Sequence, residues 1–518
     1  MCAATGVVRA EAHPETRVLG AWAHQRVDPR VSKDAVDTAK AASRTDAART
    51  PADAGDAGYS KDLKARHVNM IAIGGAIGTG LFLGAGGRLH NAGPALAIAY
   101  LVCGVFAFFV VRALGELVLY RPSSGSFVSY AREFLGEKGA YVAGWMYFLN
   151  WSTTGIADIT AIALYTHYWS FFTDIPQWVL ALIALAVVLA VNLISVKIFG
   201  EMEFWFAIVK VATLVSFMLV GIFLLATHHD VGGQKPGLSV ITDHGGLLPH
   251  GIMPVVLVMQ GVIFAYAALE LVGVAAGETA EPEKVVPRAV NSIMWRVGLF
   301  YVGSVVLLAL LLPGSVYSAD ESPFVTVLSK IGVQGAGDVM NLVVLTAAMS
   351  SLNSGLYSTG RILRSMAMAG SAPRFTAKMN RNQVPYGGIL LTCAVCVLGV
   401  GLNYLMPGQA FEIVLNVASL GIISTWVIIM VCHLVFVRRA KDGLVTRPSF
   451  RLPGSPVTEI VTIAFLLAVL GLMGNDPEVG RKTLLLIPVI AALLVGGWFA
   501  IRHRVSKTTD QELSELTK

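Results

Sequence analysis

Met70-Ile71-Ala72-Ile73-Gly74-Gly75-Ala76-Ile77-Gly78-Thr79-Gly80-Leu81-Phe82 is an apolar run with four glycines at its centre. Glycine costs a helix interior up to about 1 kcal/mol relative to alanine, so the run marks a place where a helix can unwind. Unwound backbone in lipid leaves peptide groups without partners at several kcal/mol each, unless protein, water or a bound molecule satisfies them. A helix restarting at Gly78-Thr79-Gly80 presents N–H groups and the positive end of its dipole, which suits a carboxylate. The other reading is that the glycines only let helices pack closely, as small residues do in membranes. A nucleotide loop is excluded, because no Gly-Lys-Ser/Thr ending follows and no strand precedes.

The rest of the chain gives this run its setting. Of 518 residues, 55% are hydrophobic and 14% charged, whereas a soluble domain carries about 25% charged residues. Apolar stretches of about 20 residues recur, each long enough for a helix to cross about 30 Å of hydrocarbon. An all-α membrane protein of about twelve spans is therefore expected. The spans fall at residues 69–88, 94–114, 141–168, 178–196, 204–226, 252–277, 293–313, 339–359, 387–405, 411–436, 457–474 and 484–501. Residues 1–60, rich in Ala, Asp, Arg and Thr without an apolar run, read as a disordered cytoplasmic tail rather than a signal peptide. Residues 61–504 then form the transmembrane domain and 505–518 a second cytoplasmic tail.

The net charge of +6 is a topology signal rather than a nucleic-acid footprint. With the amino terminus inside, alternate connections collect Arg121, Arg132, Lys138, Lys197, Lys284, Arg288, Arg374, Lys378, Arg438, Arg439 and Arg447, while the opposite side holds little beyond Arg88, Lys235, Lys330, Arg481 and Lys482. That asymmetry places both termini in the cytoplasm of a multi-pass protein of the cell membrane. Cys393 and Cys396 form a C-x-x-C inside an apolar span with no second ligand pair, and read as small packing residues. No metal site, cofactor loop or nucleophile–base pair is evident, so an enzyme is not expected.

A second break is expected in the sixth span, at Phe264-Ala265-Tyr266-Ala267-Ala268-Leu269-Glu270, where a carboxylate lies deep in an apolar stretch. It lies five spans after the first break. Five is odd, so the two helices cross in opposite directions, as an inverted repeat of five plus five helices requires. Free carbonyls near Phe264–Tyr266 suit an ammonium group, and the two breaks together suit a zwitterion. Ionisable residues within spans cost about 2.5–3.5 kcal/mol by insertion scales and mark functional positions. Glu270 is a candidate gate or proton-linked group. Lys210 either faces inward and sheds a proton during a cycle, or snorkels to the surface. Asp158, with Thr154 or Thr160 nearby, either accepts a hydrogen bond from substrate or satisfies a neighbouring helix. Glu116 has Arg112 four residues before it and is expected to pair with it. Asn353, Ser354 and Asn416 are candidate interhelical hydrogen-bonding residues.

Four stretches carry a resemblance to the amino acid permease family of the amino acid–polyamine–cation transporters. They are the glycine run, Leu114 through Pro122-Ser123-Ser124-Gly125-Ser126-Phe127, the Glu278–Pro287 loop after the sixth span, and Ser350-Ser351-Leu352-Asn353-Ser354-Gly355-Leu356-Tyr357. Within the family, the chain is most similar to bacterial carriers of L-asparagine. The resemblance implies ten core helices in two inverted repeats, two peripheral helices and proton-coupled uptake. It implies that Thr79 and Gly80 meet the substrate carboxylate, and that backbone carbonyls near Ala76, Phe264 and Ala267 meet its ammonium, with Phe264 as an aromatic lid. Gly78 and Ala265, within the two breaks, and Asp158 complete the candidate substrate-binding residues. It also aligns Lys210 with a lysine standing where sodium-coupled relatives bind their cation. Asparagine, aspartate, glutamine and 4-aminobutyrate carriers share this framework, so the partners expected are one such amino acid, protons and the lipid bilayer.

Overall fold

The computed structural model describes residues 66, 70, 77–123, 125–276, 281–406, 410–476 and 480–516. The expected amino-terminal tail, Gly74, Gly75 and Ala76 lie outside the described residues. Among the described residues the chain is helical, with one isolated bridge between Val231 and Gln234 and no strand. Eight helical runs are long and apolar enough to cross a membrane, and one of them, Thr79–Tyr120, contains both the first and second spans. The remaining crossings are supplied by a 42-residue helix, by the apolar helix Gln177–Asn192, and by the interrupted run Ile252–Ala265 with its continuation. The fold is that of a twelve-span helical membrane protein whose first and sixth helices are broken.

In chain order the first span shows Thr79–Phe82 and Gly84–Ala92, and the second is Leu96–Tyr120. The third is Ser126–His167, the fourth Gln177–Asn192 and the fifth Val196–Thr227. The sixth is divided into Ile252–Leu257, Met259–Ala265 and Leu271–Ala276. The seventh combines Pro282–Arg296 and Ser304–Leu311, joined by a π-helical segment. The eighth is Ala336–Met368, the ninth Tyr386–Leu405, the tenth Ala410–Lys441, the eleventh Val457–Leu472 and the twelfth Leu486–Leu516.

Hydropathy marks the apolar middle of a helix and not its polar ends, so several helices outrun their expected limits. The third begins at Ser126 and bends at Gly136, where φ is +77°, a value that favours a residue without Cβ. The seventh starts at Pro282, inside the segment expected to be a loop, because proline at the first helical position loses no hydrogen bond. The twelfth continues through the segment expected to be a separate carboxy-terminal tail.

The third span packs against both the eighth and the tenth, so the two halves of the core interlock. Burial then sorts the helices. Two-thirds of the apolar window is buried in the eighth and tenth spans, and none of it in the twelfth, which places the last helix on the outside. Cys393 and Cys396 are buried on the ninth span, and Cys396 lies against Gly155 of the third, as the packing reading expects.

Candidate functional site

The two broken helices meet. A Cβ built on Gly80 would lie 2.5 Å from the Cα of Ala265 and 3.0 Å from its nitrogen, so only glycine permits this approach of first to sixth span. Gly78 stands before the helix in an extended conformation, and its carbonyl accepts from Leu81 and Phe82 as the first turn closes. The amides of Thr79 and Gly80 thereby form the amino end of the described helix.

In the sixth span the helix stops at Ala265 and resumes at Leu271. Between them Ala268 adopts φ +74°, a left-handed value that costs a non-glycine residue about 1–3 kcal/mol. Hydrogen bonds tighten to three-residue spacing there: Ala267 N–H donates to the Phe264 carbonyl at 3.0 Å, and Leu271 N–H to that of Ala268 at 3.1 Å. Tyrosines brace the break, one from within it and one from the seventh span. Tyr301 donates its hydroxyl to the Ala265 carbonyl at 3.1 Å, and Tyr266 donates to the Tyr100 carbonyl at 2.7 Å. Their rings form a cluster with Tyr100 at centroid separations of 4.7–6.0 Å. Ala265 thus packs and accepts from Tyr301, whereas Ala267 is only partly buried.

Three buried charges lie around the break in the first span. Thr79 donates its hydroxyl to Asp158 Oδ1 at 2.8 Å, joining the first span to the third. Asp158 Oδ2 makes no hydrogen bond, with the Ser351 hydroxyl of the eighth span in its neighbourhood. Thr154 and Thr160, the expected neighbours, are engaged elsewhere, with Asn150 and with the Ile156 carbonyl and Asn403 respectively. Lys210 is 1% exposed and donates to Ser350 Oγ at 2.9 Å, which excludes snorkelling. The Ser350 hydroxyl in turn donates to Glu203 Oε2 at 2.6 Å. Lys210 lies close enough to Glu203 and Asp158 for both carboxylates to act on its charge.

Glu203 was missing from the sequence-derived candidates. A signal was available, since Glu203 and Lys210 are seven residues apart and so share one face of a helix. Asn353, expected to bond between helices, does so: it donates to Glu203 Oε1 at 2.9 Å and receives Asn192 at 2.9 Å. Asn416 receives Gln260 Nε2 at 2.7 Å, linking the tenth and sixth spans. The Ser354 hydroxyl is buried without a partner.

Arg88 is the second unforeseen residue. Counted among loop charges from the sequence, it is 7% exposed and donates to the Gly80 carbonyl at 2.7 Å. Its guanidinium fills the space left by Gly84 and Gly261, one glycine from each broken span. A cavity of about 640 Å³ has Arg88, Gln260, Gly261, Asn416, His90 and His250 among its lining residues.

Glu270 is 1% exposed, and neither carboxylate oxygen makes a hydrogen bond. Trp426 is near, but its indole N–H is also without a partner. Phe264 is buried at the end of the helix that precedes the break. Among the described residues no group of three or more His, Cys, Asp or Glu is arranged to hold a metal ion.

The family model described as Amino acid permease matches residues 67–510. An L-asparagine permease of Streptomyces coelicolor is 86% identical over 483 residues, covering 93% of this chain and 99% of its own. L-asparagine permeases of Salmonella typhimurium and Escherichia coli K12 are 60% and 61% identical, covering 91% and 87% of this chain and 95% and 90% of theirs.

Proposed function

The chain belongs to the amino acid permease family, and we propose that it is a secondary transporter importing L-asparagine together with protons across the cytoplasmic membrane. The observation that carries the reading is the meeting of two interrupted helices at Gly80 and Ala265, with Asp158 bonded to Thr79 beside them. In this reading the substrate carboxylate lies against the amides of Thr79 and Gly80, where the helix dipole favours an anion. Its ammonium lies against carbonyls of the broken segments at Ala76, Phe264 and Ala267. Phe264 covers the site, and Asp158 Oδ2 accepts from the side-chain amide. Residues 61–504 form the transport domain, with both chain ends in the cytoplasm as the distribution of Lys and Arg indicates. The asparagine permease names of the relatives favour this passenger over other amino acids.

Proton coupling is assigned to Lys210, whose burial beside two carboxylates leaves the group of three one proton short of neutrality. Uncompensated charge in a membrane interior is costly, so such a group has reason to bind a proton. Glu270, beside the strained turn at Ala268, is assigned to gating. The reading is tested by uptake of labelled L-asparagine into proteoliposomes with an imposed pH gradient. Concentrative uptake that a protonophore collapses is expected, and Lys210→Ala is expected to abolish the accumulation. No uptake removes the substrate assignment, and uptake indifferent to the protonophore removes the coupling. A protein that binds asparagine without counterflow is a sensor instead.

A further inference from the structure

The fifth and eighth spans hold a chain of polar groups whose direction is set by chemistry. An ammonium only donates, an ionised carboxylate only accepts, and a serine hydroxyl does both. Lys210 Nζ donates to Ser350 Oγ at 2.9 Å, and Ser350 Oγ donates to Glu203 Oε2 at 2.6 Å. The sequence ammonium, hydroxyl, carboxylate is therefore a wire already oriented for passing a proton from Lys210 to Glu203. All three side chains are at most 1% exposed.

Position gives the wire a destination. Glu203 precedes Lys210 by seven residues, which moves it about 10 Å along the helix towards Val196, the end that the charge distribution assigns to the cytoplasm. Its other oxygen, Oε1, is held by Asn353 at 2.9 Å. Asn353 is itself fixed by Asn192, which donates to its Oδ1 and its carbonyl at 2.9 and 2.8 Å. One turn further, Phe199 stacks on Tyr357 at 3.9 Å and 4°, and the Arg361 guanidinium covers the other partner of that stack at 3.4 Å. The acid is thus held in place, with this stack one helical turn nearer the end that the charge distribution assigns to the cytoplasm.

We propose that Glu203 accepts the co-transported proton from Lys210 through the Ser350 hydroxyl, an inference that rests on the proton-symport reading above. In the step, an Nζ–H bond of Lys210 breaks as that proton joins Ser350 Oγ, and the proton already on Oγ moves to Glu203 Oε2. Lys210 is left as a neutral amine, Glu203 as a carboxylic acid, and the serine is regenerated. No charge is created or lost among the three groups. The charges that bear on the step are Glu203 and Lys210 on the fifth span and Asp158 on the third, with Ser350, Asn353 and Ser354 facing Glu203 from the eighth.

Full-length protein in proteoliposomes tests the step with three readouts: pH-gradient-driven accumulation of labelled L-asparagine, counterflow without a gradient, and acidification of the lumen. Glu203→Gln keeps an acceptor for Ser350 but removes the site for the proton. It should lower accumulation by at least about tenfold and abolish lumen acidification while counterflow changes by about twofold or less. Glu203→Asp should restore both lost signals in part. Ser350→Ala, which cuts the wire and leaves both charges, should reproduce the split, and decides alone if the glutamine variant does not fold. Accumulation by Glu203→Gln at the wild-type level overturns the inference. So does a parallel loss of counterflow and accumulation in Ser350→Ala, which would make the network structural. A wild-type protein whose accumulation ignores a protonophore shows instead that the symport reading has failed, before any variant is made.

Discussion

Two groups of buried charges sit in this molecule, and they are satisfied to different degrees. Near the Tyr120 end of the second span, Glu116 accepts from Arg447 through Nε at 2.6 Å and Nη2 at 3.0 Å, and from the Leu452 amide at 2.7 Å. His433 of the tenth span lies between Glu116 and Glu459, with Nε2 at 3.0 Å from one and Nδ1 at 2.9 Å from the other. Ionised carboxylates only accept, so both ring nitrogens can donate only if the imidazole carries two protons. Two acids then face two cations, and of the carboxylate oxygens only Glu459 Oε2 lacks a partner. Around the helix breaks the pattern is the reverse. Asp158 is bonded through one oxygen and Glu270 through neither. A matched set ties the second, tenth and eleventh spans and the Arg447 segment together. An unmatched set leaves hydrogen-bonding capacity open around the breaks, where the proposed function places a substrate and a proton.

The difference has consequences for mutation that run in opposite directions. Glu116→Ala would leave the His433 and Arg447 charges buried without their carboxylate, and breaking such a pair costs about 3–5 kcal/mol. The expected result is a large fall in thermal stability in detergent. The KM for L-asparagine of the fraction that folds should stay near wild type. A changed KM with unchanged stability would erase the distinction between the two groups.

Gly80→Ala comes next in size and strikes the site itself. Its new Cβ would meet the Ala265 backbone at 2.5 Å, and overpacking of this kind typically costs about 1–3 kcal/mol. Backbone cannot rotate away as a side chain can, so the first and sixth spans must separate. Uptake should disappear while the protein still folds, measured as lost asparagine uptake alongside an intact monodisperse preparation. Uptake at the wild-type rate would show that the two breaks need not touch.

Much of this arrangement can be read from residue order, and the rest cannot, for a physical reason. Hydropathy reports what lipid requires of a helix, so the spans and both breaks are apparent from apolar length, the glycine run and the buried carboxylate. Local spacing also suffices for Glu203, which lies on the Lys210 face. Pairing between distant segments leaves no such trace. Arg447 reaches Glu116 across more than three hundred residues, and Arg88 reads as a loop charge until Gly84 and Gly261 are seen to make room for it. Spacing can also mislead. Arg112 is four residues from Glu116, yet it donates to Asn291 at 2.6 Å and lies 3.4 Å from the Phe450 ring.

Glu270→Gln tests the unmatched group with a smaller effect on stability. Replacing a buried carboxyl that has no hydrogen-bond partner by an amide of the same shape removes any cost of ionising it there, while the new amide stays equally unpartnered. The stability should therefore be unchanged or higher, by no more than about 1 kcal/mol, and counterflow should slow if Glu270 gates as proposed. A melting temperature that falls as far as in Glu116→Ala would mean that Glu270 is structural.

The smallest expected effect separates sequence proximity from contact. A double-mutant cycle between Arg112 and Glu116 should give a coupling of no more than about 0.5 kcal/mol, since Arg112 acts on Glu116 only through its charge and spends its hydrogen bonds on Asn291 and Arg451. The corresponding cycle between Arg447 and Glu116 should give a coupling several times larger, because two charge-assisted hydrogen bonds join a buried carboxylate to a mostly buried guanidinium. Both cycles are read from thermal unfolding in the same detergent, so differences in solubilisation cancel. Equal couplings would mean that the four-residue spacing matters as much as the long-range pair. The matched group would then be a local feature of the second span rather than a tie between helices.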